Sequence, residues 1–577
     1  MEHVPGPQLQ FSQNLHATKY RSPGESFGES QDRIASALTT SPEQYQITRE
    51  IMRDLRFMGG GRVQSACGAP KLVTPYNCFV SGRIEDSFVH GDGCIMDRAK
   101  EAASTMRMGG GIGYDFSTLR PRGAIIKKLG SQSSGPVAFR GIYNAVCLVT
   151  SSTGDRRGAQ MGVLRVDHPD IEEYILAKQN VSKLTGFNLS IAVTDKFMRA
   201  VKEGVKFDLV WGGEVWKTID ARSLWEMVMR STHQWAEPGV LFIDRINETN
   251  NLAYCEEIVA TNPCGEQPLP PNGACLLGSF NLTRYMYHDV GVGPNDWSFD
   301  LLRLEADIPH IVRAMDRVVD IAHFPLMAQK QEALSKRRMG LGITGLANVG
   351  EALGFPYGGL GFLEFEREVL ETLRNESYRA SAMLAKEFGP FPLFQRDQYL
   401  ARPFIQTLPE EIRQLIYQHG IRNSHLTSIA PTGTISLCAD NVSSGIEPVF
   451  AYETQRVVQT SNGQETHKLM DYGLRTFGVR GRRAEEVSPA EHLAVLALAQ
   501  RYVDSAVSKT INLPKDVSWE DFKGVYMAAW ESHCKGCTTY RPGRRGAVLT
   551  SADETRMPET VGATCTPDAV TGKMECE

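Results

Sequence analysis

The sequence predicts an α/β fold built on a largely parallel sheet, open or closed into a barrel. Apolar strand candidates such as "GFNLSIAVT" and "GVLFID" alternate with amphipathic helices through the middle of the chain, as in strands joined by helical crossovers. Helix-start signals recur, as in Ser41-Pro42 and Ser488-Pro489-x-Glu491, where a hydroxyl cap precedes a first-turn proline. The 577 residues are 42% hydrophobic and 22% charged, an ordinary globular composition with length enough for a large core. Length alone favours several domains.

The net charge of −5 and pI near 6.3 argue against a broad phosphate-backbone footprint, so no nucleic-acid partner is expected. A local nucleotide site is unaffected by that argument. No apolar run approaches the roughly 20 residues of a membrane span, and "MEHVPGPQLQFSQ" lacks a signal pattern. The expectation is a cytoplasmic protein. Twelve cysteines in a chain this long are not a disulfide scaffold, and in a reducing compartment their pairs point to catalysis.

In chain order, the first 40 residues are polar and irregular. A helix is expected from Ser41-Pro42, with Ile47, Ile51, Leu55 and Met58 at helical spacing and Gly59-Gly60-Gly61 stopping the run. Thr74 to Val80 reads as a strand in which Cys78 is a buried residue. Asp86 follows in Glu85-Asp86-Ser87, then a helix ending at Gly109-Gly110-Gly111-Ile112-Gly113. Such a glycine-rich turn caps a helix, or lets a phosphate or another backbone approach. The glycine- and serine-rich stretches "KKLGSQSSGPVAF" and "STGDRRGAQMGVL" read as loops, and Arg156-Arg157 adds guanidinium donors suited to a phosphate.

The densest chemistry lies in Thr261-Asn262-Pro263-Cys264-Gly265-Glu266, an amide, a thiol and a carboxylate within five residues. Held extended or in a tight loop, Asn262, Cys264 and Glu266 would face one point. Cys275 follows in "ACLLGSFNL". On spacing alone, a surface turn followed by a strand with two buried thiols fits equally well. In "SHLTSIAPTGTISLCADNVSSGIEP", an apolar strand ends at Ala430-Pro431 and Thr432, Gly433, Thr434, Ile435 and Ser436 open a helix. Hydroxyls and unpaired amides at a helix start suit a phosphate, whereas an ordinary cap needs one hydroxyl. Cys534 and Cys537 form a lone C-x-x-C, which argues against a structural zinc site, and no metal ligands are assigned. Cys565 and Cys576 fall in a polar tail, a poor place for core residues.

"NPCGE" followed by "ACLLGSFNL" resembles the catalytic finger loop of ribonucleotide reductases, in the proline-glycine form of the adenosylcobalamin-dependent class II enzymes. "APTGTIS" with "SSGIEP" is similar to that family's substrate-phosphate loop, and the resemblance runs from about residue 16 to 550. It implies a ten-stranded α/β barrel of two five-stranded halves with the finger loop threaded through it. The expected division is a mainly helical segment over 1–70, the catalytic barrel with effector loops over 71–550 and a flexible redox tail over 551–577. The resemblance makes Cys264 the thiyl radical, Glu266 the general base, Asn262 the residue orienting the sugar, and Cys78 with Cys275 the reducing pair. Cys565 and Cys576 would be the shuttle, reduced by thioredoxin or a glutaredoxin-like donor.

It further implies a ribonucleotide substrate, leaning to the diphosphate, held at Thr432–Ser436. A dNTP or ATP effector is implied near Asp86, Arg156 and Arg157, with adenosylcobalamin as cofactor and a homodimer as the assembly. The family's N-terminal ATP-sensing cone has no room ahead of residue 16, so control through it is not expected. Thr538-Thr539-Tyr540-Arg541 stands where class I large subunits carry an adjacent tyrosine pair. A class I-type subunit needing a separate metal subunit, and a catalytically silent nucleotide-binding barrel, are the alternatives. The intact cysteine set, with Asn262 and Glu266, speaks against the silent barrel.

Overall fold

The computed structural model describes residues 4–127, 129–152, 156–157, 159–179, 184–292, 295–460, 463–541, 566–567 and 574–575. Ten strands join in one sheet: β1 (Phe57–Gly59), β2 (Cys78–Val80), β3 (Gly111–Asp115), β4 (Gln160–Arg165), β5 (Phe187–Val193), β6 (Gly239–Phe242), β7 (Ala274–Asn281), β8 (Met339–Thr344), β9 (Thr510–Asn512) and β10 (Gly536–Tyr540). Strands β2 to β6 lie side by side and parallel, the arrangement that the helical crossovers predict. β7 is antiparallel to β2 and parallel to β8, and β10 is antiparallel to β6 and parallel to β9. Between β8 and the approach to β9, parallel bridges join Leu341 to Thr427 and Ile429 to Val507.

Side chains alternate across these strands, so each strand serves two cores. Phe79, Ile112, Leu164, Ile191 and Leu276 enter the larger core with the helices. Cys78, Val80, Met161, Val163, Ala192, Cys275 and Leu277 line the other face, with Ala260 and Leu269 packed on them. That second face holds the candidate chemistry.

The helix expected from Ser41 forms over Pro42–Arg53, with Ser41 Oγ accepting the Gln44 N–H, but it stops short of Leu55 and Met58. Leu55 takes a left-handed φ of 57°, and Phe57, Met58 and Gly59 pair with Phe280, Ser279 and Gly278. A sheet edge offering hydrogen bonds and a buried face outweighs helical spacing. The capping box at Ser488 and Glu491 forms as read and opens the helix Pro489–Tyr502.

Near the N-terminus, the buried His16 ring shares Nε2 with Gln64 Oε1 at 2.9 Å and accepts the Arg21 Nε–H on Nδ1 at 3.0 Å. Burial first, and the Arg21 charge second, push its pKa down to about 4. The unfolded chain therefore takes up a proton near pH 6.5 that the fold refuses until about pH 4. Stability that a neutral His16 contributes is present above pH 6.5 and lost as pH falls through that window. Relative to His16→Gln, the parent should lose about 1.4 kcal/mol per pH unit between pH 6.5 and 4. Urea unfolding of both proteins at pH 7, 5.5 and 4.5 checks this.

No helix among the described residues is long and apolar enough to cross a membrane.

Candidate active site

The site is a hairpin whose arms, Ala260–Thr261 and Pro268–Leu269, pair antiparallel. Its turn is closed by the Gly265 N–H to the Asn262 carbonyl at 3.1 Å, with Pro263 pre-setting φ inside the turn. Gly265 sits at φ +83°, which a side chain resists, and no atom lies within 4 Å of where its Cβ would be. The tight-loop alternative is thus the one that forms. Asn262 bonds across the hairpin twice, its N–H to the Gln267 carbonyl and its Oδ1 from the Gln267 N–H at 2.9 Å.

Strands β3 and β5 on one side, and the bridged segments around Ser428 and Ala506 on the other, hold this hairpin. On one side the Asn188 Nδ2 donates to the Pro263 carbonyl at 3.1 Å, and a Cβ at Gly113 would lie 1.9 Å from the Thr261 carbonyl oxygen. On the other, Ser428 Oγ and the Ala506 N–H both donate to the Glu266 carbonyl at 3.0 Å. The glycine-rich stretch after the helix Ile95–Arg107 therefore admits another backbone, one of the two uses its sequence allowed. Asn188 and Ser428 escaped the sequence reading, which took both segments only as apolar strands.

Cys78 and Cys275 are direct partners across the β2–β7 ladder. Asn262 Nδ2 donates to Cys78 Sγ at 3.2 Å, and Cys78 Sγ lies 3.8 Å from Glu266 Oε1. Asn262, Glu266 and both strand cysteines are buried, whereas Cys264 at the turn is half-buried. Burial, then the Glu266 carboxylate, then Cys275 and Cys264 push the Cys78 thiol well above its ordinary pKa. Cys275 is raised likewise, by burial first, with the Arg338 guanidinium opposing. Two thiols held protonated beside a carboxylate can give up hydrogen; they are poor nucleophiles as they stand.

The Thr432–Ser436 stretch forms with Thr432 in the left-handed region ahead of the short helix Gly433–Cys438. Thr432 Oγ1 bonds Thr344 Oγ1 at 3.0 Å and accepts the Gly445 N–H at 2.7 Å. Ser436 Oγ bonds the Gly433 carbonyl and Ser444 Oγ. Two of the three hydroxyls thus brace the turn against Thr344 and the 443–445 segment, and Ile435 is buried in the main core. Gly433 and Thr434 are half-buried at the helix start.

Asp86 is bound by Arg120, which donates through Nε at 2.7 Å and the backbone N–H at 3.0 Å. The backbone of Arg156–Arg157 pairs with Ser151–Ser152. Cys565 and Cys576 lie outside the described residues. Cys534 and Cys537 are buried, the first pushed up to about 12 and the second well above its ordinary value, both by burial first. That environment makes them inert thiols.

The model of the ribonucleotide reductase barrel domain matches residues 76–483 and 482–540. The chain belongs to the ribonucleotide reductase family. It is 36% identical to a vitamin B12-dependent ribonucleoside-diphosphate reductase of Mycobacterium tuberculosis, over 93% of this chain and 79% of that protein. It is 34% identical to the enzyme so named in Thermoplasma acidophilum, over 92% of this chain and 70% of that one. A vitamin B12-dependent ribonucleotide reductase of Streptomyces coelicolor is 26% identical, over 89% of this chain and 61% of its own length.

Proposed function

We propose that this chain is an adenosylcobalamin-dependent ribonucleoside-diphosphate reductase supplying deoxyribonucleotides for DNA synthesis. The observation that carries the reading is the convergence of Asn262, Glu266, Cys78 and Cys275 at the turn that carries the half-buried Cys264. The similarity to reductases named for vitamin B12 supports the cofactor. The open space beside Gly265 fits it, because a large group can approach the turn there. Cys264 and Gly265 would meet adenosylcobalamin on that side, and when bound it supplies the radical that no side chain makes unaided.

The residues then divide the work. Cys264, as a thiyl radical, takes the 3′-hydrogen of the ribose and gives it back to C3′ once the sugar is reduced, which restores the thiyl radical. Glu266 accepts the 3′-hydroxyl proton as general base. Asn262 orients the sugar hydroxyls while fixing the turn. One thiol of the Cys78–Cys275 pair protonates the departing 2′-hydroxyl, which leaves as water. The pair gives two electrons and two protons in all, and ends as a disulfide. The half-buried helix start at Gly433 and Thr434 receives the diphosphate. Cys565 and Cys576 re-reduce the disulfide by exchange and are themselves reduced by a thioredoxin-type donor.

The closed ten-stranded barrel with a finger loop belongs to the same reading. It is supported by two parallel runs meeting antiparallel at β2–β7 and β6–β10, by the bridges that continue from β8 toward β9 and by the hairpin's bonds to both runs. A cytoplasmic homodimer with an effector near Asp86, Arg156 and Arg157 completes the proposal.

Single turnover without external reductant tests the assignment. Differential alkylation and mass spectrometry should find one disulfide per deoxynucleotide, at Cys78–Cys275 or passed on to Cys565–Cys576, and at Cys78–Cys275 alone when both tail cysteines are changed to serine. Product formed by that tail variant while Cys78 and Cys275 both alkylate as thiols would sink it.

A further inference from the structure

The helix Gln10–Tyr20 is far in sequence from every residue the mechanism uses, yet it packs on the helix Gly433–Cys438 that the phosphate loop opens. Ser12 is fully buried, and its Oγ donates to the Leu437 carbonyl at 2.6 Å. Just past Cys438, the Asp440 carboxylate accepts the Gln8 and Leu9 N–H groups, both at 2.8 Å, and Leu9 leads directly into the helix Gln10–Tyr20. Asp440 is buried and takes a left-handed φ of 65°, a conformation that aspartate and asparagine tolerate better than most residues. Phe11, Leu437 and Leu469 form a small core of their own between the two helices and the strand Gly463–Met470. With so little apolar surface to fix the seating, the charge-assisted bonds to Asp440 and the Ser12 bond decide how the two helices sit.

The helix Gln10–Tyr20 is also tied to the sheet. His16 bonds Gln64, and Gln64 Nε2 donates to the Gly59 carbonyl at 3.0 Å. Gly59 is the ladder partner of Gly278 on β7, the strand that carries Cys275, and the Gly60 N–H donates to the Leu277 carbonyl at 2.8 Å. The helix is thus a strut between the strand of a reducing cysteine and the loop read as the diphosphate site. On the helix Gly433–Cys438, Ile435 enters the main core while Leu437 faces the strut. Thr344 and the 443–445 segment brace the loop from within, and the strut supplies the other wall. A ribonucleotide must reach the loop and the thiols at once, so the strut sets where bound phosphates hold the sugar.

We propose that Ser12 and Asp440 are positioning residues for the substrate's diphosphate: through them the strut holds Thr432–Ser436 at a fixed place relative to Cys78 and Cys275. Neither residue touches the substrate. A helix that served only to cover the core would need apolar contacts alone, whereas this one spends a buried hydroxyl and a buried carboxylate on the segment that follows the loop. The inference rests on the reductase reading and its phosphate loop, and adds the contacts that keep the loop in place.

The test is equilibrium dialysis of the full chain without cofactor, comparing the parent with Ser12→Ala on cytidine diphosphate and on cytidine, which keeps the base and sugar and lacks the phosphates. The variant should bind the diphosphate about fivefold more weakly, the effect of one net hydrogen bond on an equilibrium, and should bind cytidine as the parent does. In turnover, KM for the diphosphate should rise by a similar factor while kcat moves less, because a loop less often in place lowers apparent affinity without changing the bound geometry. Equal diphosphate binding by the two proteins, or an equal loss for diphosphate and cytidine, would overturn the positioning role and leave the reductase reading standing. A parent that binds no ribonucleotide would overturn both. If Ser12→Ala does not fold, Asp440→Asn, which keeps the left-handed fit and removes the charge, is read by the same criteria.

Discussion

Gly113→Ala is expected to disable the protein although it adds a single methyl group. A Cβ there would sit 1.9 Å from the Thr261 carbonyl oxygen, and that oxygen is backbone, so no rotamer change relieves the clash. The hairpin must move off β3. Its anchors on the far side, Ser428 and Ala506 on the Glu266 carbonyl, leave it little room. Overpacking of this kind costs about 3 kcal/mol. A displacement near 1 Å at the reacting groups costs about 100-fold in rate. Urea unfolding and deoxynucleotide assays on the same preparation measure both. A variant within about 0.5 kcal/mol of the parent and fully active would show that the hairpin is not wedged against β3.

Cys264→Ser should separate chemistry from stability. Cys264 is half-buried at a turn, so the exchange of sulfur for oxygen should change unfolding free energy by no more than about 0.5 kcal/mol. Turnover should nevertheless fall to background, because an alcohol does not carry the radical that a thiol carries. Circular dichroism and thermal melting establish that the variant is folded, and product analysis then reads the chemistry. Deoxynucleotide formation by folded Cys264→Ser would remove Cys264 from the mechanism.

Much of this arrangement is local and so was legible in the chain. The turn at Pro263–Gly265, the cap at Ser41 and the capping box at Ser488 depend on neighbours within a few residues. The parallel sheet follows from strands alternating with helices. What escaped depends on partners distant in sequence. By its own neighbours Cys78 reads only as a buried strand residue, which it is; the family resemblance, not its spacing, joined it to Cys275, its partner in the β2–β7 register. Leu55 and Met58 carry helical spacing, yet the edge of β7 takes the segment at Phe57–Gly59 into the sheet. Three hydroxyls around Gly433 suggest a phosphate site, but two are occupied by Thr344, Ser444 and the 445 amide.

The measurement that bears most directly on the central claim is deoxynucleotide formation by the purified chain with dithiothreitol, a ribonucleoside diphosphate and an effector nucleotide, with and without adenosylcobalamin and with no second protein. Product that forms only when adenosylcobalamin is added is the predicted result. No product under any effector, or product only after a metal-containing partner subunit is supplied, would contradict it.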